Sequence, residues 1–338
     1  FNINNSIYIM KIHNYILIFG ALVISSIIYA KVNKKNEMDI SKYYLKMIDK
    51  FLINGGSSGL PDKPFLWIHL HNNNTIIPDV NARNWLNFVS RGTKDFNQPY
   101  QTLTIKSIIN NCGRDFNICL INDHSFKNIL PNWALDLPNI AEPIRTHLRH
   151  LAIANVLNIY GGIVVPSSFI CFKSLKPLYK KYILKNKLFV GEFKNNSTIE
   201  SAEGTLPSPM LIGCNNNNDT IKSYISFLEI LNSTNFSAST ECTGKINAWF
   251  NSLPKEQVSV VEAKSLGVKT TKNELVLIDD LMSNTYIDIC KCGYGLYIPW
   301  DELINRTAYE WFVKLMPEDV LKSNTNIGKY LLKGNCNL

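Results

Sequence analysis

Four side chains that could bind an anion lie close together in the sequence: Arg145, His147, Arg149 and His150. Arg145 and Arg149 are four residues apart, so a helix would place them on one face. Guanidinium groups on such a face could offset the charge of a bound phosphate. The alternative is a solvated helix face beside an apolar stripe, and the spacing alone leaves both alternatives open.

Two carboxylates follow apolar segments that have the composition of buried strands. Asp123 follows Asn117–Ile121, and Asp280 follows Leu275–Ile278. Open α/β sheets bind their ligands beyond the carboxyl ends of the strands, so both carboxylates are candidate catalytic residues. An acidic residue after a strand is equally typical of an exposed turn, and that alternative stays open for each.

Several large enzyme classes are not favoured, because their short motifs are missing from the sequence. It contains no Gly-x-Gly-x-x-Gly after a predicted strand, no P-loop, no His-Glu-x-x-His and no Gly-x-Ser-x-Gly. The eight cysteines show no metal-ligand spacing, since Cys290 and Cys292 are too close for a typical zinc pair. The pattern predicts scattered core thiols.

The candidate residues lie on or next to alternating strand-like and helix-like segments. Hydrophobic periodicity predicts a helix from Pro143 to Tyr160 that packs through Leu148, Leu151 and Val156. Further helices are predicted at 100–110, 221–231 and 245–253, and strands at 65–70, 117–121, 163–165, 188–190, 210–212 and 275–278. This alternation predicts an α/β protein with a mostly parallel sheet, in which 117–121 and 163–165 are neighbours.

The stretch that follows the arginines resembles a known family. Tyr160-Gly161-Gly162-Ile163 and, further on, Lys173-Ser174-Leu175 match in order and spacing the glycosyltransferases that carry a DxD motif in their sugar-binding region. These are relatives of capsular-polysaccharide transferases and of α-mannosyl- and galactosyltransferases. The resemblance covers about residues 64–215. It implies a GT-A-type fold, a nucleotide-sugar donor and a glycan or protein acceptor.

The DxD motif itself is replaced in this chain. Its two aspartates fall on Pro166 and Ser168, and in the family they hold a divalent cation on the donor diphosphate. Proline has no ligating side chain, and a lone serine hydroxyl is a poor ligand for Mn²⁺ or Mg²⁺. The acidic residue that precedes the helix arginine in the family is also missing, with Thr146 or His147 nearby instead.

The resemblance therefore implies a nucleotide-sugar site without a metal. Its residues would be Arg145, Arg149, Gly161, Gly162 and the segment Pro166, Ser167 and Ser168. Trp300, Tyr309 and Trp311 could stack on sugars, although core packing is the commoner use of such residues. The alternative is a catalytically inactive relative that binds a glycan or serves as a structural protein, of a virion membrane for example.

Composition limits the classes of partner. The chain has 338 residues, of which 46% are hydrophobic, and this excludes a disordered chain. The formal net charge of +8 fits an anionic ligand or a membrane surface. We expect this excess to be spread along the chain, too diffusely to indicate nucleic acid. Asparagine and isoleucine are far above average usage, which is typical of an AT-rich genome such as that of a large DNA virus.

The N-terminal region predicts a single membrane anchor. We interpret Met10 as the start, residues 1–11 as a short tail, and 12–30, which contain no Asp, Glu, Lys or Arg, as a transmembrane helix. Nineteen residues rise about 28 Å, enough to cross the hydrocarbon core of a bilayer. The alternatives are a cleaved signal peptide ending near Ala30 and a buried helix. A stalk and Gly/Ser linker at 31–60 would lead to one domain at 61–338.

The sequence leaves open on which side of the membrane the domain at 61–338 lies. The lysines that follow the predicted anchor favour a cytoplasmic domain by the positive-inside rule. The resemblance favours an endomembrane of the Golgi type, and a viral membrane is a further alternative.

Overall fold

The fold was taken from a computed structural model, which describes residues 31, 48–53, 63–70, 98–196, 204–233 and 239–336. The chain divides into residues 1–50 and 51–338, and the following description concerns the second unit. The predicted anchor at 12–30 lies outside the described residues. Among the helices that are described, none is long and apolar enough to cross a membrane.

The strands form a six-stranded sheet and a separate pair. In chain order they are β1 (Phe65–Leu70), β2 (Asn117–Asn122), β3 (Gly162–Val164), β4 (Phe169–Cys171), β5 (Leu188–Lys194), β6 (Thr205–Cys214), β7 (Val258–Val261) and β8 (Gly295–Tyr297). The large sheet has the order β2-β1-β3-β6-β5-β7, and β4 pairs with β8. β1 is parallel to β2 and β3, and β5 is parallel to β7, whereas β6 is antiparallel to both of its neighbours. The prediction of an α/β protein with a mostly parallel sheet is confirmed.

Helices connect and flank these strands. They are α1 (Gln101–Cys112), α2 (Phe126–Ile129), α3 (Ile144–Tyr160), α4 (Lys176–Ile183), α5 (Asp219–Ser233), α6 (Ser239–Ser252), α7 (Ile278–Met282), α8 (Trp300–Asn305), α9 (Glu310–Val313), α10 (Pro317–Lys322) and α11 (Asn326–Asn335). One hydrophobic core surrounds the large sheet, and a second joins α1 to the C-terminal helices.

Two predictions about strands are wrong. The strands at 117–121 and 163–165 are not neighbours, because β1 lies between them and pairs with both. β1 is buried on both faces, as a central parallel strand requires, and this explains its position. Residues 275–278 are not a strand, since Ile278 begins α7 and the Asp280 carboxylate accepts a hydrogen bond from the Leu277 amide.

The set of residues that α3 buries also differs from the prediction. Val156 is buried as expected, but Leu148 and Leu151 are only partly buried. His147 and Arg149 are buried instead, at 5% and 6% exposure. A buried arginine requires compensating charge, so the acidic partners of Arg149 determine how this helix packs.

Candidate functional site

A cleft that is partly open to solvent lies beyond the carboxyl ends of β1 and β3. Most of its lining is apolar, with two histidines and a serine among the exceptions. The lining residues are His69, His150, Ile153, Ala154, Leu157, Val164, Val165, Pro166, Ser167, Pro209, Met210, Ile212, Tyr224 and Trp300. A mostly apolar cleft with a few polar groups at this edge of a parallel sheet is typical of a ligand site.

The register of β1 and β2 brings a histidine and an aspartate together beside the cleft. His69 is paired with Ile121 across the two strands, and Asp123 follows two residues later. The His69 Nε2 atom lies 3.0 Å from Asp123 Oδ1, with both residues buried. Because an ionised carboxylate only accepts hydrogen bonds, Nε2 carries the proton and Nδ1 is the basic nitrogen of the neutral ring.

Arg149 joins this pair to a second carboxylate. Its Nε donates to Asp123 Oδ1 at 2.9 Å and its Nη2 donates to Asp123 Oδ2 at 2.6 Å, which is a two-pronged contact. Nη1 donates to Glu142 Oε1 at 3.0 Å. The guanidinium group therefore lies between two carboxylates.

The protonation states of the cluster follow from burial and from these contacts. Burial alone would raise the pKa of Asp123, but hydrogen bonds from His69 and Arg149 outweigh it and hold that pKa well below its usual range. Burial lowers the pKa of His69 despite its hydrogen bond to Asp123. The arrangement is therefore an ionised Asp123 compensated by Arg149, with a neutral His69 beside them.

His150 lines the cleft from α3. Burial, and then the nearby His147, Arg149 and His69, lower the pKa of His150 to about 4. At neutral pH both imidazoles in the lining are therefore uncharged, and each could accept or donate a proton within the cleft.

The lowered pKa of His150 predicts a loss of stability in mild acid. In the unfolded chain a histidine titrates near pH 6.5, so between that pH and about 4 the unfolded state binds a proton that the folded state does not. We expect the free energy of unfolding to fall as the pH drops through this window. Urea unfolding at a series of pH values measures the slope, and His150→Gln should flatten it. An unchanged slope in this variant would contradict the burial of a neutral His150.

The other predicted site residues lie in different surroundings. Arg145 is partly exposed, and its Nε is 3.5 Å from the same Glu142 carboxylate that Arg149 uses. Asp280 is at the start of α7, where its carboxylate accepts from the Leu277 amide, and it is not part of the cleft lining. The structure thus brings Asp123 and Arg149 together and leaves Asp280 apart.

The two glycines shape the beginning of β3. Gly161 and Gly162 have φ values of 65° and 105°, and the Trp67 indole donates to the Gly161 carbonyl at 2.9 Å. A Cβ atom on Gly162 would lie 2.3 Å from the Phe65 carbonyl oxygen. The glycines therefore allow β3 to approach β1, which is a structural role.

The segment formed by Pro166, Ser167 and Ser168 follows β3 at the carboxyl edge of the sheet. Pro166 and Ser167 line the cleft, and the Ser167 carbonyl accepts a hydrogen bond from the Thr104 hydroxyl at 2.5 Å. Ser168 is fully buried, and its hydroxyl has no hydrogen-bond partner among the described residues.

Three residues of the site were missed by sequence reasoning. His69 interrupts the apolar run of β1, and a polar position in a buried strand is a usable signal. Glu142 was overlooked as the acidic partner of Arg149 because it lies seven residues earlier, outside the helix. Tyr224 comes from α5 and carries no local signal.

The side chains at the positions of the replaced DxD motif do not fit a divalent cation. Pro166 and Ser168 offer no carboxylate, and within the ranges that the structure describes no group of three or more His, Cys, Asp or Glu side chains could hold a metal ion.

No protein-family model matches the chain, and no curated protein is similar enough in sequence to match it.

Proposed function

We propose that the domain binds a sugar in this cleft and transfers it from a nucleotide-sugar to a hydroxyl group of a glycan or protein, without a divalent metal. The observation that carries the proposal is the position of the cleft beyond β1 and β3, lined by Pro166 and Ser167. The resemblance implies the nucleotide-sugar site at this same segment. Ligands of open α/β sheets bind at such an edge.

The lining supplies two kinds of group that suit a sugar. Trp300 is partly exposed and offers an aromatic face for the apolar face of a sugar ring, and the buried Tyr224 packs behind the cleft against Trp249 and Phe250. His69 is held by Asp123 in the tautomer whose Nδ1 is basic, so it could take the proton of the acceptor hydroxyl. The acceptor oxygen would then bond to the anomeric carbon as the bond from that carbon to the diphosphate breaks. The predicted anchor at 12–30 would hold this domain at a membrane.

One observation favours the alternative of an inactive relative that binds a glycan. The two arginines of α3 share Asp123 and Glu142, so the cluster has two cations and two carboxylates. This leaves no surplus positive charge there for the diphosphate of a donor. An inactive relative would bind a glycan through Trp300 and the apolar lining of the cleft.

Binding and transfer measurements separate the two functions. The full chain is titrated with UDP- and GDP-sugars and with free glycans, in Mn²⁺ and in chelator, and transfer is followed with labelled donor. We expect nucleotide-sugar binding and transfer that chelator leaves unchanged. Trp300→Ala should weaken binding about tenfold, close to 1.4 kcal/mol. Its matched control is Trp311→Ala, because Trp311 is half exposed and lies outside the cleft lining.

A second variant tests the proposed base. His69→Gln keeps a polar side chain of similar length but removes the basic nitrogen, so transfer should fall at least about a hundredfold while donor binding stays. Glycan binding without any nucleotide-sugar binding would support the inactive relative. Turnover that requires Mn²⁺ would contradict both proposals.

A further inference from the structure

A dense group of lysines lies around α4. Six lysines and no aspartate or glutamate lie in the fifteen residues 173–187. Among the described residues, the one ion pair that this segment makes joins Lys176 to Asp115, at 2.7 Å. Lys173 and Lys187 donate to main-chain carbonyls, which leaves their charges uncompensated. Six of the 35 lysine and arginine residues of the chain therefore lie in this one short segment, which has no acidic residue.

The two tyrosines of this segment are partly buried. Tyr179 packs edge-on against Phe116 and Phe189, and the Tyr182 ring contacts Phe189 at 5.2 Å between centroids. The Lys181 ammonium group lies over the Tyr182 ring, 5.1 Å from its centroid, and Lys173 lies over the Tyr294 ring at 4.5 Å. Little ring surface is therefore left on which the bases of single-stranded nucleic acid could stack. Leu184 points outward instead, with 85% of its surface exposed among the lysines.

This surface and the cleft lie at opposite edges of the sheet. The Asn186 carbonyl, just beyond α4, accepts a hydrogen bond from the Asn218 side chain, which comes shortly after the end of β6. The last residue of β6, Cys214, pairs with Gly162 at the amino end of β3. The cleft lies beyond the carboxyl end of β3, so a partner bound at α4 would leave it open.

We propose that a basic face, formed by Lys173, Lys180, Lys181, Lys185 and Leu184, docks on an anionic lipid bilayer. Exposed ammonium groups are attracted to acidic headgroups, and an exposed leucine between them can enter the boundary of the acyl chains. The attraction acts over a Debye length of about 10 Å at 0.1 M salt, so it is sensitive to ionic strength. The inference does not depend on sugar transfer.

Lysine footprinting of the full chain tests this docking. The protein is reconstituted in nanodiscs of phosphatidylcholine alone or with about 30% phosphatidylserine, a composition that gives a negative surface potential. A brief pulse of an amine-acetylating reagent is then read by mass spectrometry. We expect Lys180, Lys181 and Lys185 to be acetylated about threefold or more slowly in the anionic discs. Salt at about 0.5 M, which shortens the Debye length to about 4 Å, should abolish the difference.

Matched lysines and variants make the result specific. Lys222 on α5 and Lys314, just beyond α9, have comparable exposure and should be acetylated equally in both lipids. The variant K180E/K181E/K185E should lose the protection of Lys173, whereas K222E should keep it. Equal acetylation of the basic face in both lipids would overturn the proposal. Protection by single-stranded DNA but not by anionic lipid would also overturn it, in favour of a nucleic-acid partner.

Discussion

Replacing Asp123 with alanine is expected to lower the free energy of unfolding by about 3–5 kcal/mol, the usual cost of removing one partner from a buried ion pair. Asp123 is 4% exposed and accepts hydrogen bonds from His69 and from two nitrogens of Arg149. Without it, the Arg149 guanidinium stays buried and keeps only one of the two carboxylates described here, that of Glu142. Urea unfolding followed by tryptophan fluorescence measures the loss.

The control for this prediction is an exposed ion pair. Asp136 binds Lys127 at 2.8 Å near the surface, where solvent screens the interaction, so Asp136→Ala should leave the unfolding midpoint unchanged. Asp123→Asn should cost nearly as much as Asp123→Ala, because the charge compensation of Arg149 is lost in both. A small effect of both Asp123 variants would show that water reaches Arg149 and compensates it.

The same carboxylate determines the behaviour in strong acid. An aspartate in the unfolded chain titrates near pH 3.9, whereas Arg149 and His69 hold the pKa of Asp123 far lower in the folded state. The stabilisation is therefore complete above about pH 4 and is lost as the pH falls towards the folded pKa. Asp123→Asn should remove this part of the acid sensitivity, and the histidine-dependent part at higher pH should remain.

Local sequence pattern was sufficient for β1, β2 and α3, because uninterrupted apolar runs and a long helical period are strong signals. It could not place β1 between β2 and β3, since pairing partners depend on contacts far apart in the chain. It also did not predict that Arg149 is buried. A charged residue on a helix is usually solvated, and this one is buried because Asp123, 26 residues earlier, meets it at the end of β2.

The residues that line the cleft show the same limit of prediction from local sequence. Pro166 and Ser167 lie at the edge that the pattern predicts, because they directly follow an identifiable strand. Trp300 is a candidate by residue type alone, and the fold is needed to bring it to β3 from more than a hundred residues away. Asp280 lies outside the cleft lining for the opposite reason. The apolar run before it indicates a strand, but the acidic pair Asp279 and Asp280 favours the first turn of a helix.

Replacing Gly162 with alanine is expected to lower the free energy of unfolding by about 2–5 kcal/mol, the sum of a left-handed backbone penalty and of overpacking. The residue has a φ of 105°, and the added Cβ would lie 2.3 Å from the Phe65 carbonyl oxygen. That neighbour is a backbone atom at the start of β1, so no side-chain rotation can relieve the overlap. Thermal and urea unfolding of the variant measure the effect.

This substitution separates a structural glycine from a ligand-binding one. If Gly162 serves to let β3 approach β1, the variant unfolds more readily and ligand affinity falls only as the folded fraction falls. Ser167→Ala is the control, because Ser167 lines the cleft but Thr104 bonds to its main-chain carbonyl, which the variant keeps. That variant should retain wild-type stability. A stable Gly162→Ala protein with selectively weakened nucleotide-sugar binding would instead assign the glycine to the ligand, as the family resemblance implies.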